Sequence, residues 1–183
     1  RVVVIGGGDT AMDCVRSAVR SGAAEVVCAY RRTEAEMGGR EEERRHANEE
    51  GVRFHYLTAP IRFVADGGRV QAVRFQRMEL GEPDESGRPR PVPVIGSEFE
   101  EPADTVVIAI GYKVEKLLFQ TTPALEATDW GTVAADESGR TSREGVFAAG
   151  DSVRGADLVV TALAGAKRAA EAIDRYLRAE KAA

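Results

Sequence analysis

The sequence predicts an α/β fold, and three observations carry that prediction. The apolar β-branched run Val2 to Ile5 stops at Gly6-Gly7-Gly8, and Asp9 to Ser21 then shows helical spacing through Ala11, Val15, Ala18 and Val19. After Gly22 a second apolar run, Glu25 to Tyr30, completes strand, glycine turn, helix and strand, a βαβ unit with the right-handed crossover such units take. Beyond Gly51 the pattern becomes strand-like over Val52 to Leu57, Ile61 to Val64 and Arg69 to Leu80, the last two joined by the turn Asp66-Gly67-Gly68. The first part of the chain therefore reads as a Rossmann-like unit carrying a β-meander.

The remaining elements follow in order. Thr33 to Gly51 is a charged loop leading into a solvated helix over Arg40 to Glu50. Gly81 to Gly96, rich in Pro, Gly and charge, predicts a surface loop, and Thr105 to Ile110 is a buried-type strand ending at Gly111. A second unit is expected from there, dividing the chain into 1–111 and 112–183. In it, Thr132 to Ala135 and Val146 to Ala149 read as short strands flanking the turn Glu137-Ser138-Gly139-Arg140. Asp157 to Leu177 is a long helix, with Ala162, Ala166, Ala169 and Ala170 for close packing and Ile173 on the same face.

Composition narrows the function classes. A chain of 183 residues, 43% hydrophobic and 30% charged with no long apolar run, is expected to be soluble and globular, with no membrane span. A formal net charge of -5 argues against a nucleic-acid partner bound by phosphate neutralisation. Cys14 and Cys28 are the only cysteines and form no C-x-x-C, which excludes a zinc ribbon, an iron–sulfur cluster or a redox dithiol within the chain. Read as small core residues, they fit a reducing cytoplasm. The chain runs from Arg1 directly into a strand with no targeting segment, and so reads as part of a longer polypeptide. His46 and His55 have no paired nucleophile in sequence and read as structural or surface residues.

The chemistry concentrates at the glycine turn and at the end of the second strand. Gly6-Gly7-Gly8-Asp9-Thr10-Ala11 fits G-x-G-x-x-A: Gly6 makes the tight turn, Gly8 lets the backbone approach a pyrophosphate, and Ala11 keeps the helix close to the strand. The unpaired N–H groups at the helix start favour the phosphates without a basic side chain. Sites for NADH usually carry Asp or Glu at the end of the second strand to grip the ribose 2′-OH. Here that point reads Tyr30-Arg31-Arg32, two guanidiniums where the 2′-phosphate of NADPH would lie. The alternative is that both arginines are solvated loop charges.

Taken together, VVVIGGGDTAMDC, AYRRTEAEM, REEERRHANEEGV, RMELGEPDESGRPRPVPVIGSEF, ADTVVIAIG and TSREGVFAAGDSVRGADLVVTALAGAKRAAEAI cover nearly the whole chain. In these blocks it resembles the NADPH-dependent glutamate synthase small subunit and its relatives, including the flavoprotein subunit of electron-bifurcating NADH-dependent ferredoxin:NADP oxidoreductase. The resemblance implies an NADPH domain inserted within an FAD domain, with residues 112–183 forming the C-terminal part of a Rossmann-like FAD domain. It also implies hydride transfer between NADPH and FAD without a catalytic side chain in this segment. The iron–sulfur clusters would lie in an N-terminal portion that this chain lacks, and the partner would be a glutamate synthase large subunit or another electron-accepting subunit.

By the same resemblance, Gly150 and Asp151 approach the flavin, the Asp151 carboxylate accepting from ribityl hydroxyls. Asp157 would cap the last helix so that the Leu158 and Val159 N–H groups face the flavin pyrimidine edge. Ala109, Ile110 and Gly111 match a strand end that passes close to the nicotinamide cofactor. Read from residues alone, the first of these segments is an ordinary capped helix and the second merely a buried strand with a glycine turn. A related transhydrogenase and a non-catalytic NADPH-binding module remain the alternatives.

Overall fold

Four short parallel strands form the centre of the first unit, in the order β3-β2-β1-β8: β1 (Val2–Ile5), β2 (Val26–Ala29), β3 (Arg53–His55) and β8 (Thr105–Ile108). The structure, a computed structural model, describes residues 1–84, 87–112 and 114–180, and these divide into a unit of residues 1–111 and one from Tyr112 onward. Val2 pairs with Val26 on one side and Thr105 on the other, so β1 lies between its sequence neighbour β2 and a strand from far along the chain. Successive side chains of a strand point to opposite faces, and at the central strands β1 and β2 both faces are covered. Val4 and Cys28 face α1 (Asp9–Arg20) and α2 (Glu41–Glu49), joining Ala11, Met12, Val15 and Ala47 in one core. Val3, Ile5, Val27 and Ala29 face the other way, onto Val73, Phe75 and Ala103. That two-sided burial is why β1 and β2 read as continuous apolar runs; Thr105 to Ile110, expected to be buried in the same way, instead forms the edge strand β8, with Thr105 and Ile108 exposed and Val106 and Val107 half-buried.

The first helix buries Ala11, Met12 and Val15 along one stripe, and each of the larger two contributes about 1.5–3 kcal/mol through its burial. Both helices stop in the same way. Gly22 (φ 87°) donates to the Val19 carbonyl and Ala23 to that of Ala18; Gly51 (φ 91°) donates to Asn48 and Val52 to Ala47. These are Schellman ends, with glycine in the left-handed position that ordinary residues avoid. Arg16 of the first helix then ties it to the second, donating to Glu50 and to Glu43.

The antiparallel layer consists of β4 (Thr58–Asp66), β5 (Arg69–Pro83), β6 (Pro89–Pro93) and β7 (Phe99–Pro102). The turn at Gly67 and Gly68 is the predicted two-residue hairpin, with Asp66 paired to Arg69. One expectation is corrected here. Residues 81–96 are not simply a surface loop: β5 continues to Pro83 and pairs with β6 through Leu80↔Pro91 and Glu79↔Val92. The three prolines of β6 concealed it, yet they stand at every second position on an edge strand, where the missing N–H faces outward. Val94 donates to the Arg77 carbonyl at 2.9 Å, on the parity that Arg90 and Val92 share.

The second unit holds α3 (Leu117–Thr121), α4 (Asp151–Arg154) and α5 (Val159–Glu180). The strands expected at 132–135 and 146–149 are only single bridges, Ala127↔Val133, Ala135↔Thr141 and Arg140↔Phe147. The physical reason is local: the Asp136 carboxylate accepts from the Ser138 N–H and hydroxyl and the Arg140 N–H, turning the backbone before a ladder can extend. Small residues let α5 lie close to this segment. A Cβ added at Gly139 would stand 3.0 Å from the Ala169 Cβ, and one at Gly165 would meet the Ala149 Cβ at 3.6 Å.

Candidate functional site

The glycine turn closes β1 and starts α1, and its three glycines differ. Gly6 (φ 148°) lies so near the end of β8 that an added Cβ would be 2.1 Å from the Ala109 carbonyl oxygen. The same closeness appears in the ladder, where the Ala109 N–H donates to Ile5 at 2.8 Å. At Gly7 a Cβ would run into the Tyr30 ring at 2.6 Å. Gly8, the N-cap of α1, has an ordinary φ of -96° and nothing within 4 Å of where a Cβ would stand. Space beside the Gly8 backbone is therefore left open by the fold, as a cradle for a ligand would require. The Ala11 and Met12 N–H groups both bond to the Gly8 carbonyl, while those of Asp9 and Thr10 have no partner among the described residues. Ala11 is fully buried under the sheet. These open donors at the positive end of a twelve-residue helix are suited to phosphate oxygens, so the residues present fit a dinucleotide pyrophosphate.

Residues not singled out in the sequence complete this corner. The Gly39 N–H donates to the Gly7 carbonyl at 2.9 Å, and a Cβ at Gly39 would stand 3.1 Å from the Gly8 carbonyl carbon. Next to it the Arg40 N–H donates to Asp9 Oδ1 at 2.9 Å, and the Arg40 guanidinium Nε lies 3.6 Å from the same oxygen, offsetting the one carboxylate at the helix start. The Gly38-Gly39 pair ahead of a helix was the available signal. Below the turn, Cys28 Sγ donates to the Gly6 carbonyl at 3.4 Å, and burial pushes its thiol up to about 12, so it is no nucleophile.

At the end of β2 the two arginines diverge. Arg31 is exposed on the rim of an open groove. Arg32, expected beside it as a second donor to a 2′-phosphate, is only 3% exposed and already engaged: its Nη2 pairs with Asp84 at 3.0 Å and its Nε donates to the Pro89 carbonyl at 2.7 Å. The physical reason is the hairpin of β5 and β6, which folds back over this strand end and needs an internal counter-charge for Asp84. Tyr30 donates to the Glu36 carbonyl at 2.7 Å, and Thr33 and Glu36 close a capping box whose hydrogen bonds hold the Glu36 carboxyl below its usual range.

The structure thus brings Gly6 to Ala11, Ala109 and Arg31 to one edge of the parallel sheet. Ala109 is buried, Ile110 exposed, and Gly111 takes φ 97° as the chain leaves this unit. Gly150, Asp151, Leu158 and Val159 belong to the second unit. There Gly150 (φ 68°) precedes α4, and the exposed Asp151 carboxylate makes no hydrogen bond or ion pair among the described residues. Asp157 does not cap α5 directly: the helix starts one residue later, with Leu158 as its N-cap accepting from Thr161 and Ala162. The Leu158 N–H is spent on Asp157 Oδ1 at 2.7 Å, which leaves the N–H groups of Val159 and Val160 open among the described residues. Among the described residues no cluster of His, Cys, Asp or Glu could hold a metal ion, and no helix is long and apolar enough to cross a membrane.

An open glycine cradle at the carboxyl ends of parallel strands, next to a helix N-terminus, defines an α/β dinucleotide-binding protein. The chain belongs to the pyridine nucleotide-disulphide oxidoreductase family, whose profile matches residues 1–166. It is 46% identical over 182 residues to the glutamate synthase [NADPH] small chain of Escherichia coli (strain K12), covering 97% of this chain and 39% of that one. It is 49% identical over 178 residues to the NADP(+)-dependent formate dehydrogenase subunit beta of Moorella thermoacetica, covering 97% of this chain and 25% of that one. The chain therefore spans well under half the length of these relatives. Among solved structures, T. acidophilum thioredoxin reductase aligns with a TM-score of 0.77 at 20% identity, covering 98% of this chain and 52% of that chain. FprA from Mycobacterium tuberculosis in complex with NADPH aligns at 0.71 and 21% identity, covering 99% and 53%. Likeness at these identities establishes the fold, a parallel sheet with an attached antiparallel layer as in thioredoxin reductase-like nucleotide-binding proteins.

Proposed function

We propose that this chain is the NADPH-binding portion of a flavin-dependent oxidoreductase that passes hydride between NADPH and FAD, as part of a glutamate synthase small subunit. The observation that carries the reading is the open cradle at Gly8 beside a strand end that bears Arg31 and no carboxylate at the ribose position. The Asp9 and Thr10 N–H groups donate to the pyrophosphate, and Arg31 meets the 2′-phosphate. The backbone of Ala109, Ile110 and Gly111 forms the wall beside the nicotinamide. In the second unit the Asp151 carboxylate accepts from ribityl hydroxyls, and the start of α5 offers the Val159 and Val160 N–H groups to the flavin. FAD, when bound, supplies the hydride acceptor. What the chain contributes is positioning and fixed dipoles, which hydride transfer needs more than an acid or base.

A glutamate synthase large subunit is the partner favoured by the similar chains that are named as glutamate synthase small chains. The 49% identity to a formate dehydrogenase beta subunit favours a second reading, in which the same portion serves a different electron-accepting partner. Anaerobic mixing of the FAD-loaded protein with NADPH or NADH tests the proposal. The expected result is bleaching of the flavin band by NADPH at a rate at least roughly tenfold above that with NADH. Equal bleaching by both, or none by NADPH, would contradict it.

A further inference from the structure

The groove beside the end of β2, about 1110 Å³, is lined by Arg31, Arg32, Glu82, Asp84, Arg90 and Val92 among others. Two strands of the antiparallel layer build its far wall, and they are fastened from both sides. Arg32 holds Asp84 and the Pro89 carbonyl. Arg88 reaches across to the Tyr30 hydroxyl at 3.1 Å and to the Glu36 carbonyl. Tyr30 in turn packs on Gly7, so the hairpin, the strand end and the glycine turn form one continuous contact. With Arg32 and Asp84 neutralising each other, the charges left on the groove among the described residues are the guanidiniums of Arg31 and Arg90 and the carboxylate of Glu82. Neither Arg31 nor Arg90 makes an ion pair among the described residues. Two unpaired guanidiniums on one groove repel each other, and a dianion between them relieves that repulsion while taking planar donors from both sides.

We propose that Arg90, on the β6 strand and lining the same groove as Arg31, is the second cation of the 2′-phosphate subsite, and that Arg32 is a positioning residue that fastens the hairpin carrying it. This rests on the NADPH reading given above and moves the selectivity from two adjacent residues to two elements far apart in the chain. Proline on either side of Arg90 fixes φ near -65°, so little backbone freedom is lost when the nucleotide arrives. Glu82 opposes a dianion in the same groove and sets a limit on affinity.

Calorimetric titration of the chain with NADPH and with NADH tests the assignment. Arg90→Ala and Arg31→Ala each lower NADPH affinity roughly tenfold or more, leave NADH affinity within about twofold, and leave the thermal midpoint unchanged. Arg90→Lys restores part of the loss, since charge returns without the planar fork. Glu82→Gln tightens NADPH alone. Arg32→Ala lowers the NADPH preference and the thermal midpoint together, the signature of a fastening that has come loose. If Arg90→Ala keeps the NADPH-to-NADH ratio of the unmodified chain while Arg31→Ala abolishes it, the role of Arg90 is overturned and the NADPH reading stands. An Arg90→Ala chain that loses both nucleotides equally with a lowered midpoint also overturns it. If the unmodified chain binds both nucleotides alike, both readings fall.

Discussion

Gly6, Gly7 and Gly8 are indistinguishable as letters and carry three different constraints. Gly6 answers to the chain itself, through the Ala109 carbonyl; Gly7 answers to Tyr30; only Gly8 is open on the side where a ligand would come. Gly6→Ala is expected to cost about 3 kcal/mol, from a strained φ and a backbone clash that cannot relax. Gly8→Ala is expected to leave urea stability within about 0.5 kcal/mol while weakening either dinucleotide roughly tenfold or more, because its Cβ fills the cradle. Paired denaturation and titration curves check both, and a Gly8→Ala chain that binds normally would show the cradle is unused. The spacing of the motif identified the turn, but which glycine serves fold and which serves ligand depends on Ala109, a hundred residues away. The same limit applied at Arg31-Arg32, where one of two adjacent identical residues is exposed on a groove and the other is buried and paired with the Asp84 carboxylate.

At the scale of elements, the local ones were legible and the long-range ones were not. The first two helices announce themselves by apolar spacing and by the glycines that end them, since their hydrogen bonds close within a few residues. The β6 strand and the β7 strand exist only by pairing with β5, and no periodicity within Pro89–Pro93 or Phe99–Pro102 reports that. The β3 strand offers a test of electrostatics at this scale. His55 is half-buried with its Nδ1 3.8 Å from Glu101, and desolvation lowers its pKa more than the Glu101 carboxylate raises it. A lowered histidine pKa means the unfolded chain takes up the proton first, so this stabilisation is complete above about pH 6.5 and is lost as pH falls from there through the folded value. Urea midpoints at pH 7.5 and 5.5 are expected to differ, and to differ less in His55→Gln. An unchanged slope in that variant would remove His55 as the cause.

At the scale of the molecule, residues 1–111 and the unit after them differ in how completely they bury themselves. The first has central strands, β1 and β2, covered on both faces. The second exposes Leu158, Val159, Val160 and Leu163 at the start of its long helix, beside the open N–H groups assigned above to the flavin. On the function proposed above, charge at the groove, rather than the hydrophobic core, separates the two nicotinamide cofactors, since their dinucleotide frames are the same and only the 2′-phosphate differs. The most direct measurement is therefore the dissociation constant of the chain for NADPH and for NADH in one buffer of moderate ionic strength. NADPH is expected to bind tighter by roughly tenfold or more, with the difference shrinking as salt screens the guanidiniums. Equal constants, or tighter NADH, would contradict it.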